Sequence, residues 1–131
     1  MLRKLLLTAL IISSTGTLFA QKYMTRTGKI SFNATAPKSP EKVEAINNEV
    51  ANILDAKTGG LVFQVMVKNF KFERELMKEH FNENYMESDK YPKSEFNGTI
   101  TNLTEINFTK DGTYNATAKG KLSIHGVTQE I

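Results

Sequence analysis

The 131 residues include no cysteine and no tryptophan, only two histidines and three prolines. Without cysteine there is no disulfide, no thiolate nucleophile and no thiolate metal site. The two histidines, His80 and His125, stand far apart in the sequence. His80 has Glu79 and Glu83 nearby, but not the His-Glu-x-x-His spacing that turns two imidazoles to one face of a helix. It is expected to pack or cap a short helix, and His125 to sit in a turn. There is no Gly-x-Ser-x-Gly stretch, and neither histidine is marked as the base that would activate a serine. A glycine-rich phosphate loop is also missing. No catalytic residue, metal or cofactor is therefore expected, and no enzymatic activity.

Long hydrophobic runs are scarce as well. Residues 5–12 are apolar except for Thr8, well short of the ~20 residues that span a bilayer. Arg3 and Lys4 precede this run, and the small, polar stretch 13–17 follows it. Ala20 stands where a signal peptidase would cut before Gln21. Residues 1–20 therefore read as a secretory signal peptide, and 21–131 as one mature domain. Leu18 is the atypical position, because a small residue is usual there. A periplasmic or secreted location is expected, with no stable membrane span after cleavage. Cleavage removes Arg3 and Lys4 and no acidic residue, so the formal net charge of +3 falls by two to +1. So small a charge steers weakly toward nucleic acid or anionic membrane. The Phe70-Lys71-Phe72 stretch interleaves aromatic and basic residues, but on a near-neutral exported chain it is not expected to bind nucleic acid.

What the mature segment does have is period-two alternation between turn residues, the signature of a mainly β chain. Over residues 28–35, Ile30, Phe32 and Ala34 share one face. Residues 36–41 carry Pro37 and Pro40 and read as a loop. Residues 43–56 fit a helix or two short strands. Gly59-Gly60 marks a turn. Residues 61–67 form the clearest strand, rich in β-branched side chains, with Leu61, Phe63, Val65 and Val67 on one face. Residues 73–81 change character and predict one short helix, with a turn at 82–84. Pro92 pushes Tyr91 into an extended conformation. Strands then resume at Ser94, with Phe96, Gly98 and Ile100 alternating. Residues 103–109 predict a strand, joined through a hairpin at Asp111-Gly112 to residues 113–121. Gly120 marks a bulge or a barrel bend. His125-Gly126 turns the chain into a last strand over 127–131.

That gives roughly six to eight short strands by the alternation rule. The last has at most one partner, and an open sheet with an apolar face leaves unpaired edges. The expectation is a domain lacking its C-terminal strands, or one whose open edge is covered by a second copy or another partner chain.

Two segments together resemble one family. The first is Arg74-Glu-Leu-Met-Lys-Glu-His80-Phe81, followed by Asn84-Tyr-Met-Glu-Ser-Asp-Lys-Tyr91-Pro92-Lys-Ser-Glu-Phe96. The second is Gly120-Lys-Leu-Ser-Ile-His-Gly126-Val127-Thr128. In this order, after an export signal, they are similar to the YceI-like family of exported lipid-binding proteins. The similarity covers most of residues 61–131 and is looser over 23–56. It implies an antiparallel, lipocalin-like β-barrel whose apolar lumen holds a polyisoprenoid or another long-chain amphiphile. Asn33, Asn97, Asn102, Asn107 and Asn115 each open an Asn-x-Thr pattern. The resemblance favours reading these as a strand-rich bacterial chain over glycosylation sites.

The implied function is an exported carrier of a long-chain lipid. The alternative is a non-enzymatic interaction module, acting through a filled barrel or an exposed strand edge. Phe63, Val65 and Val67 are the lumen candidates, with Phe32 and Phe96 behind them. Alternation alone reports burial, so each could equally be ordinary core.

Overall fold

Alternating apolar and polar residues, separated by tight turns, build seven antiparallel strands and one short helix. The computed structural model describes residues 22–131, so the expected signal peptide at 1–20 lies outside the described residues. In chain order the elements are β1 (Lys22–Asn33), β2 (Glu44–Asp55), β3 (Gly60–Met66), β4 (Lys71–Phe72), α1 (Glu75–His80), β5 (Lys93–Ile100), β6 (Ala118–Ile124) and β7 (Val127–Glu130). The strands form one sheet in the order β1-β2-β3-β5-β6-β7, with β4 paired to β2. Among the described residues β1 and β7 each have one strand partner, so this lipocalin-like sheet is not closed.

One face of the sheet carries most of its large apolar side chains. Cross-strand partners share a face, and the register places Leu61, Phe63 and Val65 opposite Gly98, Phe96 and Ser94. Phe96 in turn faces Leu122, and Ile100 faces Ala118. On the other side of β3, Phe63 faces Asn52 and Leu61 faces Leu54. These residues define the inner face.

Residues 43–56, ambiguous between helix and two strands, form one twelve-residue strand. The ambiguity has a physical source. Between Gly28 and Ile30 of β1, strand β2 advances from Val50 to Asn47, one residue too many. That bulge inverts the parity of β2. Ala45 and Asn47 therefore face inward together with Val50, Asn52 and Leu54. A second irregularity, between Thr25 and Gly28, does the same for β1. The inward residues of β2 consequently change from odd to even positions, which breaks the period-two signal.

Asn47 is fully buried beside this bulge. Its Oδ1 accepts from the Glu49 amide at 2.9 Å and its Nδ2 donates to the Met66 carbonyl at 3.1 Å. Met66 ends β3, and a single 3₁₀ turn (Val67–Asn69) then leads into β4. β4 takes up pairing with β2 at Ala45 and Ile46, beyond the stretch that β3 covers. Asn47 thus satisfies backbone groups at the break between two successive partners of β2.

Three expectations need correction. Residues 103–109 do not form a strand, and Asp111-Gly112 does not join a hairpin: a 3₁₀ turn (Leu103–Glu105) opens an irregular loop that ends at β6. Asn102 clips this loop shut. Its amide donates to the Asn115 carbonyl and the Glu105 carboxylate, both at 2.8 Å, and its Oδ1 accepts from the Thr117 amide at 2.7 Å. Short polar side chains that bond to the backbone compete with a sheet ladder, and here they win. The helix is shorter at its start than 73–81, beginning at Glu75, and a π-helical turn (Phe81–Tyr85) continues it where a turn was expected. Val67 lies just past the end of β3, in the 3₁₀ turn, rather than within the strand.

Candidate functional site

Aromatic contacts stand at both ends of the inner face. At one end lies a cluster of four phenylalanines. Phe32 comes from β1, and Phe72 from β4, where it faces Ala45 of β2. Phe70 comes from the preceding turn, and Phe81 from the π-helical turn that follows α1. Phe32 stacks on Phe81 with ring centroids 5.5 Å apart and meets Phe70 edge-on at 5.4 Å. Phe72 and Phe81 approach to 4.9 Å. At the other end, Phe108 of the 101–117 loop stacks on Tyr23 of β1 at 5.7 Å. Between the two ends Phe63 and Phe96 stand side by side at 6.2 Å.

The truly buried core is small by comparison. Ala45, Val50, Val65 and Phe70 form its cluster, with Ile30, Phe32, Phe63, Phe72 and Phe81 packed against it but only half-buried, and Ala56, Val67 and Ile100 are buried outside that cluster. Phe96 and Leu122 are half-buried too. The sheet's own side chains therefore do not fill the inner face.

A cavity of about 750 Å³ opens between the phenylalanine cluster and the helix. Phe32, Val43, Phe72, Leu76, Met77 and Phe81 make up most of its apolar lining. The volume lies within the range of small-molecule sites, ~300–1,000 Å³. Residues 75–80 form a helix because they are good helix formers, with Glu75 in the first turn and Lys78 in the last, complementing the dipole. The π-helical turn after it is a geometry frequent at functional sites. It brings Asn84 and Tyr85 to the same opening.

Two polar pairs line this opening. Arg74 Nη1 donates to Glu41 Oε1 at 2.9 Å, linking the start of α1 to the β1–β2 loop. Asn84 Nδ2 donates to His80 Nδ1 at 2.8 Å. His80 thus sits at the helix end, bonded within its own segment.

Of the five residues singled out from sequence, Phe32 borders this cavity. Phe63 and Phe96 pair at the middle of the inner face, and Val65 is buried in the core beside them. Val67 is fully buried, its amide bonded to the Pro92 carbonyl at 3.0 Å. The structure thus brings Phe63, Val65 and Phe96 together, sets Phe32 at the cavity, and leaves Val67 in a turn. Sequence reasoning missed Phe72, Phe81 and the Glu41–Arg74 pair. The period-two spacing of Phe70 and Phe72 carried the signal for the first. Nothing local to Glu41 points to Arg74.

The two motif segments also meet. The Tyr91 ring lies against Gly126 and packs edge-on to His125 at 5.1 Å.

A comparison with curated proteins finds no match. Among solved structures, the chain is similar to a polyisoprenoid binding domain from Saccharophagus degradans, implicated in plant cell wall breakdown. The TM-score is 0.67 at 11% sequence identity, over 86% of this chain. This chain spans 64% of the length of that one. At such identity the likeness establishes the fold. The sequence also matches the YceI-like domain over residues 13–131, nearly its whole length, and the chain therefore belongs to the YceI-like family.

Proposed function

We propose that this protein is an exported binding or carrier protein for a long-chain lipid of the isoprenoid kind, and that it performs no reaction of its own. The observation that carries this reading is the half-filled inner face. Aromatic side chains line it from Tyr23 to Phe32, yet most stay half-buried or exposed, and a cavity opens at the Phe32 end. An apolar chain laid there removes this surface from water together with its own. Each CH₂ buried is worth about 0.8 kcal/mol, so no charged or catalytic group is needed for affinity. Family membership and the polyisoprenoid-binding neighbour point to the same ligand class. Export rests on the N-terminal sequence, residues 1–20.

The test is native mass spectrometry with organic extraction, on protein expressed with its export signal. A stoichiometric co-purifying isoprenoid or fatty chain supports the reading. A folded, empty protein that takes up no added lipid overturns it. A second reading, strand addition to another chain, rests on the single-partnered edges β1 and β7. It predicts an empty oligomer or complex in the same spectrum.

A further inference from the structure

We infer that the cavity beneath α1 receives the head of the ligand, and that this head is uncharged and hydroxyl- or carbonyl-ended rather than anionic. The inference rests on the lipid-binding reading above and deepens it. The argument is one of charge complementarity at the mouth. Phe32, Val43, Phe72, Leu76, Met77 and Phe81 give the cavity an apolar lining that accepts the hydrocarbon next to the head. Among the polar lining residues, Glu41, Arg74, His80, Asn84 and Tyr85 are all exposed, and only the Tyr85 hydroxyl, which is neutral, stands outside a pair. Arg74 is neutralised by Glu41 at 2.9 Å, and His80 is bonded to Asn84 at 2.8 Å. The rim therefore carries no surplus positive charge to hold a carboxylate or phosphate.

An anionic head would have to compete with Glu41 for the guanidinium and then sit beside the displaced carboxylate. Like charges so placed repel. A hydroxyl needs no such exchange. Arg74 has five N–H donors, one of which goes to Glu41, and a carboxylate oxygen accepts more than one hydrogen bond. A hydroxyl can accept from a spare Arg74 N–H and donate to Glu41 with the ion pair intact. A carbonyl can use the Arg74 donor alone. Both side chains are more than half exposed, at 63% and 53%, so the pair is reachable from solvent.

The test uses displacement of a bound apolar fluorophore by two probes of equal chain length, dodecanol and dodecanoate, at neutral pH and low salt. Any apolar cavity favours the alcohol to some degree, so the diagnostic quantity is the alcohol-to-anion affinity ratio in three proteins. In Glu41→Gln the rim gains a net positive charge, and the ratio is expected to fall about fivefold or more relative to wild type. In Arg74→Gln the rim becomes net negative, and the ratio is expected to rise. Melting temperature and fluorophore affinity report whether each variant is folded with its tail site intact. If one variant fails to fold, the other decides by itself. A ratio that is the same in wild type and the folded variants overturns the inference while leaving lipid binding standing, as does a wild-type preference for dodecanoate. If neither probe nor fluorophore binds the wild type, the lipid-binding reading fails, and this inference falls with it.

Discussion

The ring of Tyr91 occupies the space that a side chain at position 126 would need: a Cβ on Gly126 would lie 2.6 Å from Tyr91 Cε1. Gly126 also has φ of +72°, where L residues are strained. The contact joins the β6–β7 turn to the segment that enters β5, which explains why the Tyr-Pro and Gly-Val-Thr motifs occur together. Gly126→Ala should destabilise the fold by about 1–3 kcal/mol, measured by urea denaturation. In Tyr91→Ala the steric part of that cost should vanish and the backbone part remain. Additive costs in the double mutant would deny the contact.

A second close approach lies between β5 and β6. Gly98 and Gly120 are cross-strand partners on the inner face. A Cβ on Gly98 would collide with the Lys119 carbonyl and meet Phe96 Cζ at 2.6 Å, and one on Gly120 would collide with the Asn97 carbonyl. Side chains can move aside, but backbone carbonyls paired in a ladder cannot. Alanine at either position should cost about 1–3 kcal/mol or more. Thermal denaturation of Gly120→Ala checks this, and an unchanged midpoint would contradict it.

Asn47 is buried for its two hydrogen bonds, not for packing. Asn47→Leu leaves the Glu49 amide and the Met66 carbonyl without their partner. The expected loss is about 1–3 kcal/mol for each group that water does not reach. Asn47→Asp keeps the acceptor but buries a charge, and should be at least as damaging at neutral pH. Chemical denaturation of both variants reads this out.

Acid should weaken the β2–β3 turn. The Asp55 carboxylate accepts from the Lys57 amide at 2.9 Å and the Thr58 amide at 3.3 Å. The Lys57 bond above all holds its pKa below the ordinary 3.8; desolvation opposes it, and the Thr58 bonds and the charge of Lys22 add to the lowering. A depressed carboxyl stabilises the fold fully above that ordinary value, and the contribution disappears as pH falls through the lowered one. Wild type should therefore lose stability below about pH 4 more steeply than Asp55→Ala. Parallel stability–pH curves would remove Asp55 from the acid response.

At the centre of the inner face, Phe63 is half-buried and faces Phe96. A carboxylate placed there meets an apolar surface that a lipid chain would need. Phe63→Asp should abolish uptake of a fluorescent fatty acid while circular dichroism still reports a folded sheet. Unchanged uptake would exclude Phe63 from the site.

The sequence by itself determined most of the strands, the turns at Gly59-Gly60 and His125-Gly126, and the inward set of β3 and β5. Strand alternation is a local property, and Phe63, Val65 and Phe96 obey it without interruption. Gly120 was legible as a special position inside a strand, and the structure shows a close backbone approach there, with β5 and β6 in unbroken register. Tertiary structure decided the rest. The bulges in β1 and β2 reverse parity, so Ala45 and Val50 share a face only once the partner strand is in place. Asn102 draws residues 101–117 into a clipped loop by reaching Asn115 and Thr117, contacts that outcompete the strand and the Asp111-Gly112 hairpin their own composition favours. The cavity exists only because α1 is laid across the Phe32 end, with Arg74 held to Glu41 by an ion pair between segments remote in sequence. Such pairings depend on distances in the folded chain, and residue order does not encode those distances locally.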